Sequence, residues 1–257
     1  MNYKIVFFDV DGTLINYEDG CISTSTKNAI QTLKSQGIKL VAATGRPLSM
    51  CQELKALGIE TFITANGAYT KHLDEVIHKI PLPNRIVHSV KEIAEENKHS
   101  LSFFTEKLTM NGIQGPPTLQ AMRETLSLLE YPKLNEENLN EEIYLMCLYA
   151  GEEAVGEYKK QFPNLLFQRW HPFIVNVLYE EVSKSIAIKE VLKYFNIQYS
   201  EAIAFGDGDN DIDMLEMVGY GVAMGNGSKR LKESADFVTK KSNEDGVEFA
   251  LRYLQLI

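Results

Sequence analysis

The chain has 257 residues, enough for one large domain or a core with a smaller companion, and its 44% hydrophobic and 24% charged content is that of a folded protein. A net charge of −9 with no dense Lys/Arg run argues against nucleic-acid binding, and Lys159-Lys160 and Lys240-Lys241 read as solvated surface. The longest apolar run, Ile143 to Ala150, is far short of the roughly 20 residues that span a bilayer. No secretory signal is visible, and the three cysteines (Cys21, Cys51, Cys147) form no C-x-x-C pair, so a cytoplasmic protein with reduced thiols and no membrane partner is expected.

In chain order, Tyr3 to Phe8 is a short apolar run rich in β-branched and aromatic residues, which predicts a strand buried on both faces. Thr26 to Gln36 follows as a helix with Ala29, Ile30 and Leu33 on one face and Gly37 as its stop. Ile38 to Ala43 is the next strand, Leu48 to Leu57 the next helix, and Thr61 to Thr64 the third strand. Strand alternating with helix predicts a doubly wound α/β sheet, whose ligands bind beyond the carboxyl ends of the strands.

From Pro81 the rhythm changes. Helices are predicted over Val87 to Asn97, Leu119 to Leu129 and Glu152 to Phe162, and strands over Leu101 to Phe104, Ile143 to Tyr149, Leu165 to Arg169 and Phe173 to Leu178. This reads as an α+β unit at 82–183, inserted into an α/β core formed by 1–81 and 184–257. The core pattern resumes with a helix over Lys184 to Phe195 and a strand over Ala202 to Phe205. A helix over Asp211 to Met217, a strand over Gly221 to Met224, a helix over Ser228 to Glu233, a short strand over Phe237 to Thr239 and a helix over Gly246 to Leu254 complete the chain.

The polar motifs fall at the predicted strand ends. Asp9-Val10-Asp11-Gly12-Thr13 places two carboxylates two residues apart, and on a strand end both side chains can emerge on one side. One can attack phosphorus while the other handles a proton. Adjacent anions would repel a phosphate, so such a site needs a cation, and Mg²⁺ held by carboxylates suits it, with Asp207 at another strand end completing the coordination. Thr44 and the Gly45 amide can hold phosphate oxygens, and Lys184 can supply positive charge from the start of its helix. Asp207-Gly208-Asp209-Asn210-Asp211 is not a Ca²⁺-binding EF-hand loop, because the positions that require Gly and Glu hold Ile212 and Val218. No G-x-G-x-x-G or Walker A loop is present. His72, His78, His88, His99 and His171 show no metal-ligand spacing. His171, beside Trp170 in the insert, reads as a packing residue, with a substrate contact as the sharper alternative.

Together, Asp9 to Thr13, Ala43-Thr44-Gly45-Arg46, Lys184 and Gly206 to Asp211 resemble the four ordered motifs of the haloacid dehalogenase-like superfamily. The position of the insert, Asn66-Gly67-Ala68 and the tail with Asp245-Gly246-Val247 are similar to its Cof-type subfamily with a large α+β cap. The resemblance implies Asp9 as nucleophile and metal ligand. Asp11 is then general acid/base and gives the metal its backbone carbonyl, Asp207 is a further ligand, and Asp211 supports the metal site. It implies phosphate binding by Thr44, Gly45, the Val10 amide and Asn210, charge balance from Lys184, and Arg46 and Asn66 on the substrate side. Ser185 stands where the family usually has Gly after the lysine. With both aspartates present, the expected activity is Mg²⁺-dependent hydrolysis of phosphate esters, on sugar phosphates or other small phosphorylated metabolites. A phosphomutase is the alternative within the superfamily, and a phospho-accepting signalling module the non-enzyme one, though such modules are about half this length and carry no cap. Oligomeric state stays open.

Overall fold

The structure, a computed structural model, describes residues 3–126, 128–132, 141–179 and 182–257. The chain opens with β1 (Ile5–Asp9), α1 (Thr24–Ser35), β2 (Lys39–Ala43), α2 (Gln52–Ala56), β3 (Thr61–Thr64), β4 (Tyr69–His72) and β5 (Glu75–Lys79). It continues with α3 (Asn84–Glu96), β6 (Ser100–Phe104), β7 (Leu108–Met110), α4 (Pro116–Leu126), β8 (Leu145–Tyr149), α5 (Glu152–Gln161), β9 (Leu165–His171) and β10 (Ile174–Tyr179). It closes with α6 (Lys184–Phe195), β11 (Ala202–Gly206), α7 (Ile212–Met217), β12 (Tyr220–Ala223), α8 (Lys229–Ser234), β13 (Phe237–Val238) and α9 (Gly246–Tyr253).

The chain divides into two compact units. The first comprises Met1–Gly45, Cys51–His78 and Ser183–Ile257, the second Arg46–Met50 and Lys79–Val182. The junctions thus fall at 78/79 and 182/183, where the sequence suggests 81/82 and 183/184, and a short piece of the early chain goes with the second unit.

In the first unit an eight-stranded sheet runs in the order β13-β12-β11-β1-β2-β3-β4-β5. From β13 to β3 every pairing is parallel, as β-α-β crossovers require. Ile5, Phe7, Val41, Ala43 and Ile63 point to one face, where Ala187, Ile188, Val191 and Leu192 of α6 and Met214 and Leu215 of α7 cover them. Val6 and Phe8 alternate to the other face and are equally buried, and α1 buries Ala29, Ile30 and Leu33. Burial on both faces explains the continuous apolar run of β1.

The second unit is a five-stranded antiparallel sheet, β7-β6-β8-β10-β9. Leu101, Phe103, Met146, Leu148, Val175 and Val177 form its core with Val87, Val90 and Ala94 of α3 and Val155 and Tyr158 of α5. On the opposite face Ser102, Cys147 and Asn176 are paired across neighbouring strands, and Asn176 Oδ1 accepts the Trp170 indole N–H at 2.8 Å.

Three expectations change. The sheet is not parallel throughout: β4 pairs antiparallel with β3, and the β4–β5 segment extends that edge. Charged residues break the alternation of its Lys71 to Lys79 stretch, so only the pairing reveals it. The helix expected over Leu48 to Leu57 is interrupted at Cys51: Leu48–Met50 is a single 3₁₀ turn, and α2 begins after it. The Ser49 amide donates to the Glu106 carbonyl at 2.8 Å within the second unit, a tertiary bond that takes this turn out of the helix. The helix expected over Leu119 to Leu129 is α4, which starts earlier at Pro116; Ser127 of the expected stretch lies outside the described residues.

Candidate active site

β11, β1 and β2 are neighbours in the sheet, and their carboxyl ends deliver Gly206-Asp207, Asp9 and Ala43-Thr44 to the same edge. Strand order runs β1-β2-β3 one way and β11-β12-β13 the other, so this edge is where the topology reverses, the place where open α/β sheets bind their ligands.

Asp9 is the last residue of β1 and is buried. Lys184 reaches it from the first turn of α6, placing Nζ 2.6 Å from Asp9 Oδ1 and 2.6 Å from Asp211 Oδ1. Ser183 caps that helix by accepting the Ile186 N–H, while the Ser185 N–H faces Asp213, so a serine after the lysine is accommodated. The Asn66-Gly67 turn seats the helix start. Gly67 sits at φ +107, and a Cβ there would collide with the Ser183 carbonyl. Burial opposes the Lys184 charge, but Asp211 and Asp9 more than offset it and hold the ammonium protonated.

Asp211 is fully buried and its acceptors are in use. Oδ1 takes the Lys184 ammonium, and Oδ2 accepts the backbone N–H groups of Asp207 (3.1 Å) and Gly208 (3.0 Å). Gly206 leaves the space for this side chain, since a Cβ there would lie 2.6 Å from Asp211 Cβ. Asp207 is bonded through Oδ2 to the Asn226 amide at 3.2 Å. The same amide nitrogen donates to the Gly12 carbonyl at 2.8 Å, and Asn226 Oδ1 accepts the Ser242 N–H at 2.9 Å. Asn226 therefore ties the Asp-Gly turn, the Asp207 loop and the tail together.

The electrostatics follow from three carboxylates facing one ammonium. Burial lifts the Asp9 carboxyl well above its usual range; Lys184 works against the rise, and Asp211 and Asp207 add to it. Asp207 is pushed up to about 7, by burial first and then by Asp211. Asp9 Oδ2 is buried with no hydrogen-bond partner, a costly state for a carboxylate oxygen. Oxygens of Asp9, Asp207 and Asp211 lie within 4.8 Å of one another. A set of hard oxygen donors with surplus negative charge and one orphaned oxygen fits a hard divalent cation. Asp211 belongs to that cluster by distance, yet its hydrogen bonds to Lys184 and the loop amides make it a brace for Asp207 and Asp9 more than a direct ligand.

Asp11 departs from the strand-alternation argument. β1 ends at Asp9, and Asp11 lies in the turn beyond, bridged to Ile15, with Gly12 at φ +87. The Asp11 carbonyl accepts the Tyr17 hydroxyl at 2.9 Å. Val10 is buried and its carbonyl accepts the Ile15 N–H at 2.8 Å. Thr44 is buried beyond β2; its N–H donates to the Ile63 carbonyl and its own carbonyl accepts the Asn66 N–H at 3.1 Å. Gly45 allows Asn66 Oδ1 close, 3.1 Å from where a Cβ would stand. Asn210 is exposed on the single turn Asp209–Asp211 next to Asp207. Asp9, Asp11, Thr44, Gly45, Asn66, Lys184, Asp207, Asn210 and Asp211 thus all belong to the first unit. Arg46 and His171 belong to the second, where His171 Nε2 lies 3.0 Å from Glu124 Oε2. Sequence reasoning passed over Asn226 and Tyr17. The Gly225-Asn226-Gly227 turn after a strand was a readable signal for the first, and nothing in the sequence marked the second.

Residues 6–251 match the haloacid dehalogenase-like hydrolase family. YkrA of Bacillus subtilis (strain 168), a phosphatase by name, is 35% identical over all of both chains. Among solved structures, a hypothetical protein of Geobacillus kaustophilus HTA426 superposes with a TM-score of 0.91 at 36% identity, covering 99% of this chain and 100% of that one. The HAD subclass IIB sugar phosphatase BT4131 gives a TM-score of 0.84 at 32% identity, covering 99% and 100%. The chain belongs to the haloacid dehalogenase-like hydrolase family, among its Cof-type phosphatases, as its four ordered motifs imply.

Proposed function

We propose that the chain is a Mg²⁺-dependent phosphomonoester hydrolase that works through an aspartyl-phosphate on Asp9. The observation that carries this reading is the Asp9 carboxylate itself: Oδ1 is fixed by Lys184, and Oδ2 is buried and unpartnered. With Oδ1 fixed, the carboxylate is oriented for attack without reorganisation. Attack by Asp9 on phosphorus forms the acyl-phosphate bond and breaks the bond to the ester oxygen, which takes a proton from Asp11. Asp11, now ionised, removes a proton from water as that water attacks phosphorus, releasing phosphate and restoring Asp9. Lys184 opposes the rise that burial imposes on the Asp9 carboxyl, and so favours its ionised, nucleophilic form. Thr44, the amides of Val10 and Gly45, and Asn210 hold the phosphoryl oxygens, with Asn66 and Arg46 toward the substrate. Asp9, Asp207 and the Asp11 backbone carbonyl would hold Mg²⁺, braced by Asp211, and the ion would offset the carboxylate and phosphate charge.

Small phosphorylated metabolites, sugar phosphates among them, are the proposed substrates. BT4131, which shares this fold at 32% identity, is a sugar phosphatase. Selectivity is assigned to the second unit, with His171 as a candidate contact. The three free cysteines favour a cytoplasmic setting, and among the described residues no helix is long and apolar enough to cross a membrane. The test is phosphate release from a panel of phosphorylated metabolites with Mg²⁺, alongside Asp11→Asn on p-nitrophenyl phosphate. The variant is expected to lose about 10²–10⁴-fold in turnover. Retained turnover would remove Asp11 from the mechanism, and no Mg²⁺-dependent release from any substrate would overturn the hydrolase.

A further inference from the structure

Tyr17 sits on the loop after the Asp-Gly turn, and the mechanism above does not use it. Its residue surface is 68% exposed, so burying apolar area does not explain where it lies. Yet its hydroxyl end is specifically placed. The O–H donates to the Asp11 carbonyl at 2.9 Å, and the ring edge closes on Gly12, where an added Cβ would meet both the Tyr17 ring and the Asp207 carboxylate.

The loop does not need this bond. Asn16 N–H donates to the Cys21 carbonyl (3.1 Å), Gly20 N–H to the Asn16 carbonyl (3.0 Å), and Glu18 N–H to Asn16 Oδ1 (2.7 Å). Asn243 and Ser23 tie the loop to the tail through Glu18 (2.7 Å) and Asp245 (2.9 Å). Tyr17 can therefore rotate toward solvent at the cost of one hydrogen bond and a ring-edge contact.

We propose that Tyr17 is a latch on the cation pocket: its hydroxyl satisfies the Asp11 carbonyl oxygen while no divalent cation is bound, and it is displaced when a cation takes that oxygen. This rests on the proposed role of the Asp11 carbonyl in metal binding. A carbonyl oxygen has two lone pairs, the Tyr17 O–H occupies one of them, and a cation approaching along that lone pair has to displace the hydroxyl. Tyr17 would then lower cation affinity while keeping the empty pocket ordered.

The test is calorimetric titration of Mg²⁺ into the full-length protein and into Tyr17→Phe, which keeps the ring. Removing one competing neutral hydrogen bond should tighten Mg²⁺ binding by about three- to tenfold. In the parent, Mg²⁺ saturation should also produce a tyrosine near-ultraviolet difference spectrum that the variant lacks. If the parent binds Mg²⁺ and the variant binds it equally or more weakly, the latch is overturned and the pocket stands. If neither protein binds Mg²⁺ or Mn²⁺, the cation reading of the carboxylate cluster falls, and the latch with it.

Discussion

Replacing Lys184 with Met tests the electrostatic account of the site. The methionine stem fills much of the buried channel, so the change removes the ammonium from two carboxylates that each lie 2.6 Å from it. Breaking a buried ion pair by deleting one partner typically costs about 3–5 kcal/mol. Proton uptake sets an independent scale. A carboxyl with an unfolded pKa near 3.9 that must protonate to stay buried costs about 1.4 kcal/mol per pH unit, or about 4 kcal/mol at pH 7 and about 1.5 kcal/mol at pH 5. The direction is fixed by the shift. Burial already raises the Asp9 carboxyl, and losing Lys184 removes the main charge opposing that rise. A folded-state carboxyl pKa above the unfolded one favours folding where the group is protonated. Because the parent's Asp9 is itself raised, the deficit is largest above the variant's folded pKa and shrinks as pH falls toward the parent's folded pKa. Urea unfolding in EDTA, followed by far-ultraviolet circular dichroism, should show a loss of about 3–5 kcal/mol at pH 7 and a clearly smaller one at pH 5. Trp170 lies in the second unit, so its fluorescence is the wrong probe. A deficit below about 1 kcal/mol at pH 7, or one that does not shrink at pH 5, would refute the reasoning.

Two further outcomes follow from the same geometry. Asn226→Asp keeps an acceptor for the Ser242 N–H but turns a donor toward Gly12 and Asp207 into a second carboxylate oxygen. In EDTA it should destabilise the protein by about 1–3 kcal/mol, or roughly 2–4 °C in Tm per kcal/mol, and Mg²⁺ should narrow the gap. A Tm matching the parent's in EDTA would show that Asn226 does not bear on Asp207. For the cysteines, burial pushes the Cys147 thiol up to about 12, which leaves a thiolate fraction on the order of 10⁻⁴ at pH 8. Cys51 is also buried, whereas Cys21 is exposed. A chromogenic disulfide reagent should thus modify one thiol quickly and the other two only on unfolding. Rapid reaction of a second thiol in the native protein would contradict the burial of Cys51 and Cys147.

The site was legible to the extent that its chemistry sits at strand ends. Apolar runs of four residues mark β1, β2 and β11, because strands buried on both faces carry few polar side chains. A carboxylate or hydroxyl right after such a run must then lie at the sheet edge. Asp9, Thr44 and Asp207 could be placed that way. Lys184 could be placed only as the first residue of a helix, because its reach to Asp9 spans 175 positions of sequence. The β4–β5 edge and the interrupted helix at Cys51 were hidden for a related reason: a tertiary pairing or hydrogen bond decided them, against weak or contrary local patterns.

What the sequence determined by itself was the alternation of buried strands and amphipathic helices, the change of pattern over 82–183, and which acidic, hydroxyl and lysine side chains stand at the strand ends and helix start. Those follow from local periodicity and residue chemistry. The tertiary structure alone decided which oxygens are spoken for. The fold turns Asp211 inward to brace two loop amides and Lys184, leaves Asp9 Oδ2 without a partner, clips Asp207 to Asn226, and lays the Tyr17 hydroxyl on the Asp11 carbonyl. Hydrogen-bond satisfaction depends on neighbours that meet only when the sheet closes, and no spacing along the chain encodes it.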